Sequence, residues 1–305
     1  MKAVTRPRSS SRHGPVQPGA TPAFRSRIAA AAPRRDRHVL FVVNSMWFFH
    51  NHRLPVALAA MRRGYRVSVA APADGYSEAV ARHGIAVHDL PMARGVSIGT
   101  ELPALLHMAR TIRQLRPDVV HLVTVKPVTY GGIIARVLRV PAVVSAISGL
   151  GYTFVSQDRR AGLLRAAILM LYRAALRHPN QRVIFQNTFD RDTIVDAGAC
   201  EPACTVLIEG SGVDVRRYAR APEVGTSIVL GARLLADKGV REFVHAAETV
   251  RTRRAGCRFV LAGDVDPGNP SSITRDELDG WVRAGLVDWV GWQEDLRPVL
   301  RTATI

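Results

Sequence analysis

From position 38 onward, short runs of β-branched and aliphatic residues alternate with longer stretches whose apolar residues recur every three or four positions. Runs at 38–43, 66–70, 85–89, 119–123, 142–146 and 182–185 predict buried strands. The intervening stretches at 54–63, 77–83, 101–115, 131–138, 159–177 and 188–197 predict helices. Strands alternating with helices imply an α/β architecture, a parallel doubly wound sheet covered on both faces. Gly64, Gly84 and Gly198 fall where helix C-caps are expected. Pro117 and Pro141 stand just ahead of strands, where they stop the preceding helix.

The alternation breaks at Glu209-Gly210-Ser211-Gly212 and restarts with strands at 227–230, 258–262 and 287–290 and helices at 240–254, 274–284 and 295–300. The expected organisation is a basic tail at 1–37, a first α/β domain at 38–209, a linker at 210–226 and a second domain at 227–305. Three strands are fewer than the five or six usual in such a domain. The second domain is therefore expected to be incomplete, the chain ending inside it at Arg301-Thr302-Ala303-Thr304-Ile305.

Composition narrows the class. With 305 residues, 47% hydrophobic and 22% charged, the chain can bury a sizeable core. No stretch approaches the ~18 uninterrupted apolar residues of a spanning helix; the longest candidate, 162–176, is cut by Arg165 and Arg173. Cys200, Cys204 and Cys257 are too few for a disulfide scaffold and match no CxxC metal pattern, so a reducing, cytosolic interior is expected. The net charge of +17 first suggests nucleic acid. Residues 1–37, however, carry nine Lys or Arg against Asp36 alone, so about half of the excess lies in a segment rich in Arg, Ser, Pro and Ala. That segment has too little apolar surface to fold and no apolar core of a secretory signal, and is expected to be disordered. The remaining 268 residues show no helix-turn-helix and no interleaving of aromatic with basic residues, so no nucleic-acid partner is expected.

The candidate chemistry lies where strands end. After the first strand comes Asn44-Ser45-Met46-Trp47-Phe48-Phe49-His50-Asn51-His52-Arg53-Leu54-Pro55, which contains no glycine. A dinucleotide's pyrophosphate could not approach that backbone closely, which excludes NAD- or FAD-dependent redox chemistry there. Asn44, Ser45, His50 and His52 beside three aromatics suit a sugar or lipid-phosphate headgroup, though aromatics at a strand end equally well cap a core. His121, inside the fourth strand, reads as a hydrogen-bonded core histidine; Lys126, at that strand's end, reads as a cation for phosphate. Ser148, Gly149 and Gly151 follow the fifth strand and allow close backbone approach to a ligand; with no GxSxG motif, serine hydrolysis is not expected. The Arg-rich helix at 159–177 can lie on an anionic membrane or present a solvated basic face. In the second domain, Arg233 and Lys238 in Gly231-Ala232-Arg233-Leu234-Leu235-Ala236-Asp237-Lys238-Gly239 flank the start of a helix and suit a diphosphate. No Walker motif is present, and Gly263-Asp264 closes the next strand on the same side.

Together these segments resemble glycosyltransferase family 4. The resemblance runs from about 38 to 305 and rests on Asn44-Ser45-x-Trp47-Phe48, His52-Arg53-Leu54-Pro55, Ala146-Ile147-Ser148-Gly149-Leu150-Gly151, Ala232-Arg233-Leu234-Leu235-Ala236-Asp237-Lys238-Gly239-Val240 and Gly263-Asp264-x-Asp266-Pro267-Gly268-Asn269-Pro270. It implies the GT-B fold, two Rossmann-like domains facing a cleft. It also implies retaining, metal-independent transfer of a hexose or N-acetylhexosamine from a UDP-sugar to an undecaprenyl-diphosphate-linked saccharide in cell-surface polysaccharide synthesis. On this resemblance Arg233 and Lys238 hold the donor diphosphate and stabilise the leaving charge, with Gly263 and Asp264 beside them. Asn44, Ser45, His52, Lys126, Ser148 and Gly149 face the acceptor. The nucleotide sugar is a co-substrate, no cofactor or metal is implied, and the protein is expected as a peripheral protein at the inner face of the cytoplasmic membrane. Members of the family carry, beyond the point where this chain stops, a glutamate-bearing stretch that binds donor sugar and ribose. The early end keeps open an alternative to the transferase, a non-catalytic remnant or binding partner with the same fold, inactive in transfer on its own.

Overall fold

Strand β1 (His38–Val42) is buried along its whole length and pairs in parallel on both sides, with β2 (Arg66–Ala71) and with β4 (Val119–Val123). A computed structural model describes this and the rest of residues 37–92, 98–150, 154, 159–216, 218, 226–253 and 256–304. The basic segment 1–36, Gly151 and most of 217–225 lie outside the described residues. With β3 (Ala86–Asp89), β5 (Ala142–Ile147), β6 (Gln181–Phe185) and β7 (Thr205–Leu207), the strands form a seven-stranded parallel sheet in the order β3-β2-β1-β4-β5-β6-β7. Strand order reverses between β1 and β4, and in open parallel sheets ligands bind beyond the carboxyl ends of the strands at such a reversal. Asp118, just ahead of β4, accepts the His38 amide through Oδ2 at 2.7 Å and helps hold the central pair in register.

Among the described residues, these helices lie between the strands: α1 (Met46–His52), α2 (Leu54–Arg62), α3 (Ser77–Ala81), α4 (Ile98–Leu115), α5 (Gly132–Val137), α6 (Arg159–Ala175) and α7 (Thr188–Asp196). Phe41, Met46, Phe49, Leu54, Ala57 and Val69 bury one face of the sheet against α1 and α2. Each large apolar side chain so buried contributes roughly 1.5–3 kcal/mol. Gly132 lets α5 approach α6, since a β-carbon there would lie 2.8 Å from the Ala175 carbonyl oxygen. Three features depart from the sequence expectation. The segment after β1 is a helix, not an open turn, because Met46 and Phe49 are one helical turn apart and both face the core. A π-helical turn, Pro127–Gly131, precedes α5. β7 adds an edge strand of three residues, too short to stand out by periodicity.

The chain divides into two compact units: one of the residues up to Gly149 with Ala166–Ile208, the other of Leu150–Arg165 with the residues from Glu209 onward. The second unit contains a parallel three-stranded sheet, β10 (Asp288–Trp289), β9 (Arg258–Ala262) and β8 (Ser227–Gly231) in that order. Its helices are α8 (Val240–Arg253), α9 (Arg275–Arg283) and α10 (Arg297–Leu300). Leu234, Val240, Ala247, Phe259, Leu261 and Leu278 form its core. After α10 the chain meets β8: the Ser227 amide donates to the Thr302 carbonyl at 3.0 Å, the Thr304 amide donates to the Ser227 carbonyl at 2.7 Å, and Ala303 bridges Ser227 in parallel.

Candidate functional site

In the first unit the site is built on the loops after β1, β4 and β5. Ser45 is the N-cap of α1, its hydroxyl accepting the Phe48 amide at 3.3 Å, and Asp74 Oδ2 accepts the Trp47 amide at 2.9 Å. This fixes the helix where the sequence suggested a ligand loop, and commits the Ser45 hydroxyl to the backbone. Asn44 is exposed beside it. Arg53, where α1 passes into α2, is buried: Nη2 donates to Ser148 Oγ and Nη1 to the His52 carbonyl, each at 3.3 Å, and the guanidinium lies 5.7 Å from the centre of the Phe48 ring. The loops after β1 and β5 are thus tied together by one cation. Its charge adds to burial in holding two imidazoles neutral. His121 is driven down to about 3, by burial first and then by Arg53; His52 is lowered by the same two causes in the same order.

His121 packs against Phe41, ring centres 4.9 Å apart, but its Nε2 has no hydrogen-bond partner among the described residues, so the expectation of a hydrogen-bonded core histidine is corrected. His52 stacks between Trp47 and Phe48 at 6.0 and 4.7 Å. Thr124, immediately after β4, takes a left-handed φ of 75°, and its Oγ1 is buried without a hydrogen-bond partner among the described residues. Strain of this kind in a non-glycine residue is concentrated at functional sites. Lys126 differs most from its sequence reading: its ammonium is 2.6 Å from Glu101 Oε1 in a largely buried pair. It is therefore not a solitary cation awaiting phosphate. Gly149 has φ 146° and open space where a β-carbon would stand, which leaves the backbone after Ser148 approachable.

In the second unit the loops after β8 and β9 interlock. The Leu234 amide donates to the Asp264 carbonyl, Ile273 to Leu234 and Ala236 to Ser271, at 2.7–2.9 Å. Arg233 Nη1 is 3.0 Å from Asp266 Oδ2 in a pair that leaves the arginine 62% exposed, enough to meet a ligand as well. Lys238, at the end of a 3₁₀ turn (Ala236–Lys238), is exposed. Gly239 follows in the left-handed conformation with φ 75° and admits α8. Gly263 is needed for a reason other than ligand approach: a β-carbon there would collide with the Ala232 carbonyl. Asp264 is exposed, its Oδ1 accepting the Val265 amide at 2.8 Å.

Sequence reasoning assigned no role to Glu101, Thr124, Tyr130 or Asp266. Asp266 stood within a quoted phrase, whereas Glu101 carried no local signal. Among the described residues no group of three or more His, Cys, Asp or Glu is placed to hold a metal ion, and no helix is long and apolar enough to cross a membrane.

Comparison with known proteins gives this arrangement a relation. Residues 38–187 match the family described as glycosyl transferase 4-like. Over 272 residues, 84% of this chain and 70% of the other, the sequence is 24% identical to the N,N'-diacetylbacillosaminyl-diphospho-undecaprenol α-1,3-N-acetylgalactosaminyltransferase of Campylobacter jejuni. Among solved structures, Anabaena Alr3699/HepE in complex with UDP and glucose is similar at a TM-score of 0.62 and 17% identity, over 87% of this chain and 72% of that one. A sucrose-phosphate synthase from Thermosynechococcus elongatus is similar at 0.59 and 15% identity, over 88% and 74%. The stretch 38–187, which bears Arg53, His121, Lys126 and Ser148 and strands β1 to β6, is thus similar to the glycosyl transferase 4-like family, and the fold is GT-B.

Proposed function

We propose that the protein is a hexosyltransferase that moves an N-acetylhexosamine from a UDP-sugar to an undecaprenyl-diphosphate-linked saccharide. The observation that carries this reading is the likeness, over 84% of the chain, to a relative whose name states that kind of acceptor and transfer. The second unit supports the donor half: Arg233 and Lys238 stand on the loop between β8 and α8, exposed, where two cations can take up a diphosphate and stabilise the charge left on UDP. With two fixed cations in that role, the transfer needs no metal to neutralise the leaving group, and we infer retention of configuration from the resemblance to family 4. Gly263 and Asp264 serve by shaping the loop that presents Arg233.

The first unit supports the acceptor half. Neutral His52 and the approachable backbone at Gly149 offer hydrogen bonds to uncharged sugar hydroxyls, and Asn44 adds an amide. α6 begins in the second unit and continues into the first from Ala166; on it exposed Leu163, Leu164 and Met170 accompany Arg165 and Arg173, a combination suited to peripheral contact with the anionic inner leaflet that carries such an acceptor. The test is calorimetric titration of the chain with UDP, followed by transfer from UDP-N-acetylhexosamines to a purified undecaprenyl-diphosphate-linked saccharide. Saturable UDP binding and a lipid product one sugar longer are expected; absence of UDP binding sinks the reading.

A further inference from the structure

Glu101 sits in the first turn of α4, an 18-residue helix whose N-terminal end lies at the carboxyl side of the sheet, the side on which Lys126 follows β4. The residue is 9% exposed. One carboxylate oxygen, Oε1, takes the Lys126 ammonium at 2.6 Å, while the other, Oε2, is buried and meets no donor in close hydrogen-bond geometry among the described residues. Buried polar atoms are rarely left in that condition without a role. Tyr130, on the π-helical turn, adjoins the pair; its phenol is pushed up to about 12 by burial first, then by hydrogen bonding to Glu101 and by the carboxylate's charge. π-helical turns inside a fold are uncommon and concentrate at functional sites. Lys126 and Tyr130 are partly exposed and form the rim of this cluster.

The charges decide what the cluster can bind. Lys126 and Glu101 cancel, so nothing here draws in a phosphate, and a dianion would meet the carboxylate. A carboxylate has about four acceptor sites, so beside Lys126 and Tyr130 it can still accept a neutral hydroxyl or amide N–H, and a hydrogen bond to a charged acceptor in a dry site is among the stronger ones. The last torsion of a glutamate is soft, so either oxygen can turn to the rim while the other keeps the lysine. We propose that Glu101, held by Lys126 and flanked by Tyr130, is a sugar-binding residue that accepts a hydrogen bond from the acceptor saccharide. The identity of that ligand rests on the transferase reading. Lys126 is then a positioning residue for Glu101, and its own contact is not with the lipid diphosphate.

The test titrates the full chain with the methyl glycosides of N-acetylgalactosamine and N-acetylglucosamine, followed by saturation-transfer NMR, with inorganic pyrophosphate as the competing probe and UDP titrated separately. Wild type is expected to bind a glycoside saturably, and Glu101→Gln to weaken it about 10-fold or more, as for a lost charge-assisted hydrogen bond, with UDP binding unchanged. Because Glu101→Gln leaves Lys126 without its partner, the double variant Glu101→Gln/Lys126→Met is measured beside it; it carries no uncompensated charge and is expected to lose the glycoside equally. Glycoside binding that is absent in wild type or indifferent to both variants overturns the proposal. So does pyrophosphate binding that Lys126→Met alone abolishes. If UDP does not bind while the glycoside still responds to Glu101, the transferase reading fails and this site stands.

Discussion

A β-carbon added to Gly263 would lie 1.8 Å from the carbonyl oxygen of Ala232, a separation that no side-chain rearrangement can relieve because the β-carbon is fixed by its own backbone and the oxygen belongs to backbone. The two residues immediately follow β9 and β8, so their contact sets how closely the loops of the second unit mesh. Trp289 reinforces it, its Nε1 donating to the Gly263 carbonyl at 2.8 Å.

Gly263→Ala is therefore expected to destabilise the second unit severely, by about 3–5 kcal/mol, the range reached when an overpacked or strained position is forced. Urea unfolding followed by tryptophan fluorescence reads this directly. A variant within about 0.5 kcal/mol of wild type would mean that the two loops separate freely.

Removing the exposed cation of the same unit should have the opposite profile. Lys238→Ala is expected to leave the melting temperature unchanged and weaken UDP binding about 10-fold, the scale of one charge-assisted contact. Arg233→Ala should act similarly on UDP, at a stability cost under about 1 kcal/mol because its pair with Asp266 is open to solvent. Calorimetric titration with UDP checks both; undiminished affinity in the two variants argues against a diphosphate on this loop.

Ser45→Ala separates capping from ligand contact. Loss of the hydroxyl that accepts the Phe48 amide should cost about 1 kcal/mol, as for other N-caps. The acceptor KM should not move, and Ser45→Asp, which can still cap, should restore stability. A variant with unchanged stability and a raised acceptor KM would assign the hydroxyl to the ligand instead.

Acid should unfold the protein by way of its buried imidazoles. His121 titrates at about 3 in the folded chain against 6.5 when unfolded, so between those values the unfolded chain holds a proton that the folded one does not. Stability is then fully present above pH 6.5 and falls as pH drops below it, by up to ~1.4 kcal/mol per pH unit for one such group. His38, His52 and His88, also lowered chiefly by burial, act in the same direction. Denaturation midpoints between pH 8 and pH 4 should decline, and His121→Phe should flatten the decline; a profile that variant leaves unaltered would remove His121 from the account.

Much of the fold was legible because β1, β2, β4 and β5 are mainly apolar runs, interrupted within by single residues such as Ser68, His121 and Ser145, of the length and composition of buried parallel strands. α1 was not, since Trp47, Phe48, Phe49 and His50 mask the three-residue spacing of Met46 and Phe49 with aromatics on every side. That Lys126 and Arg233 stand just beyond strand ends could be read from the sequence alone. Their partners could not: Glu101 and Asp266 lie 25 and 33 residues away, and only the folded chain brings them within 3.0 Å. Gly263 shows a third case, a glycine read from the sequence as facing a ligand whose steric necessity comes from the segment after the neighbouring strand.

The central place of β1 has a consequence for synthesis. Its first neighbour, β2, begins 28 residues after it, but Val119, which pairs with Val39, is 80 residues downstream. At ribosomal rates of about 5–20 residues per second, roughly 4–16 seconds pass before β4 can reach its flank. Throughout that interval the strand His38–Val42, apolar after its first residue, presents an open edge to whatever else is nearby. The nascent chain is thus most vulnerable to misassociation while the residues between β1 and β4 are still being translated, and a chaperone that shields this one strand would protect the nucleus of the whole first unit.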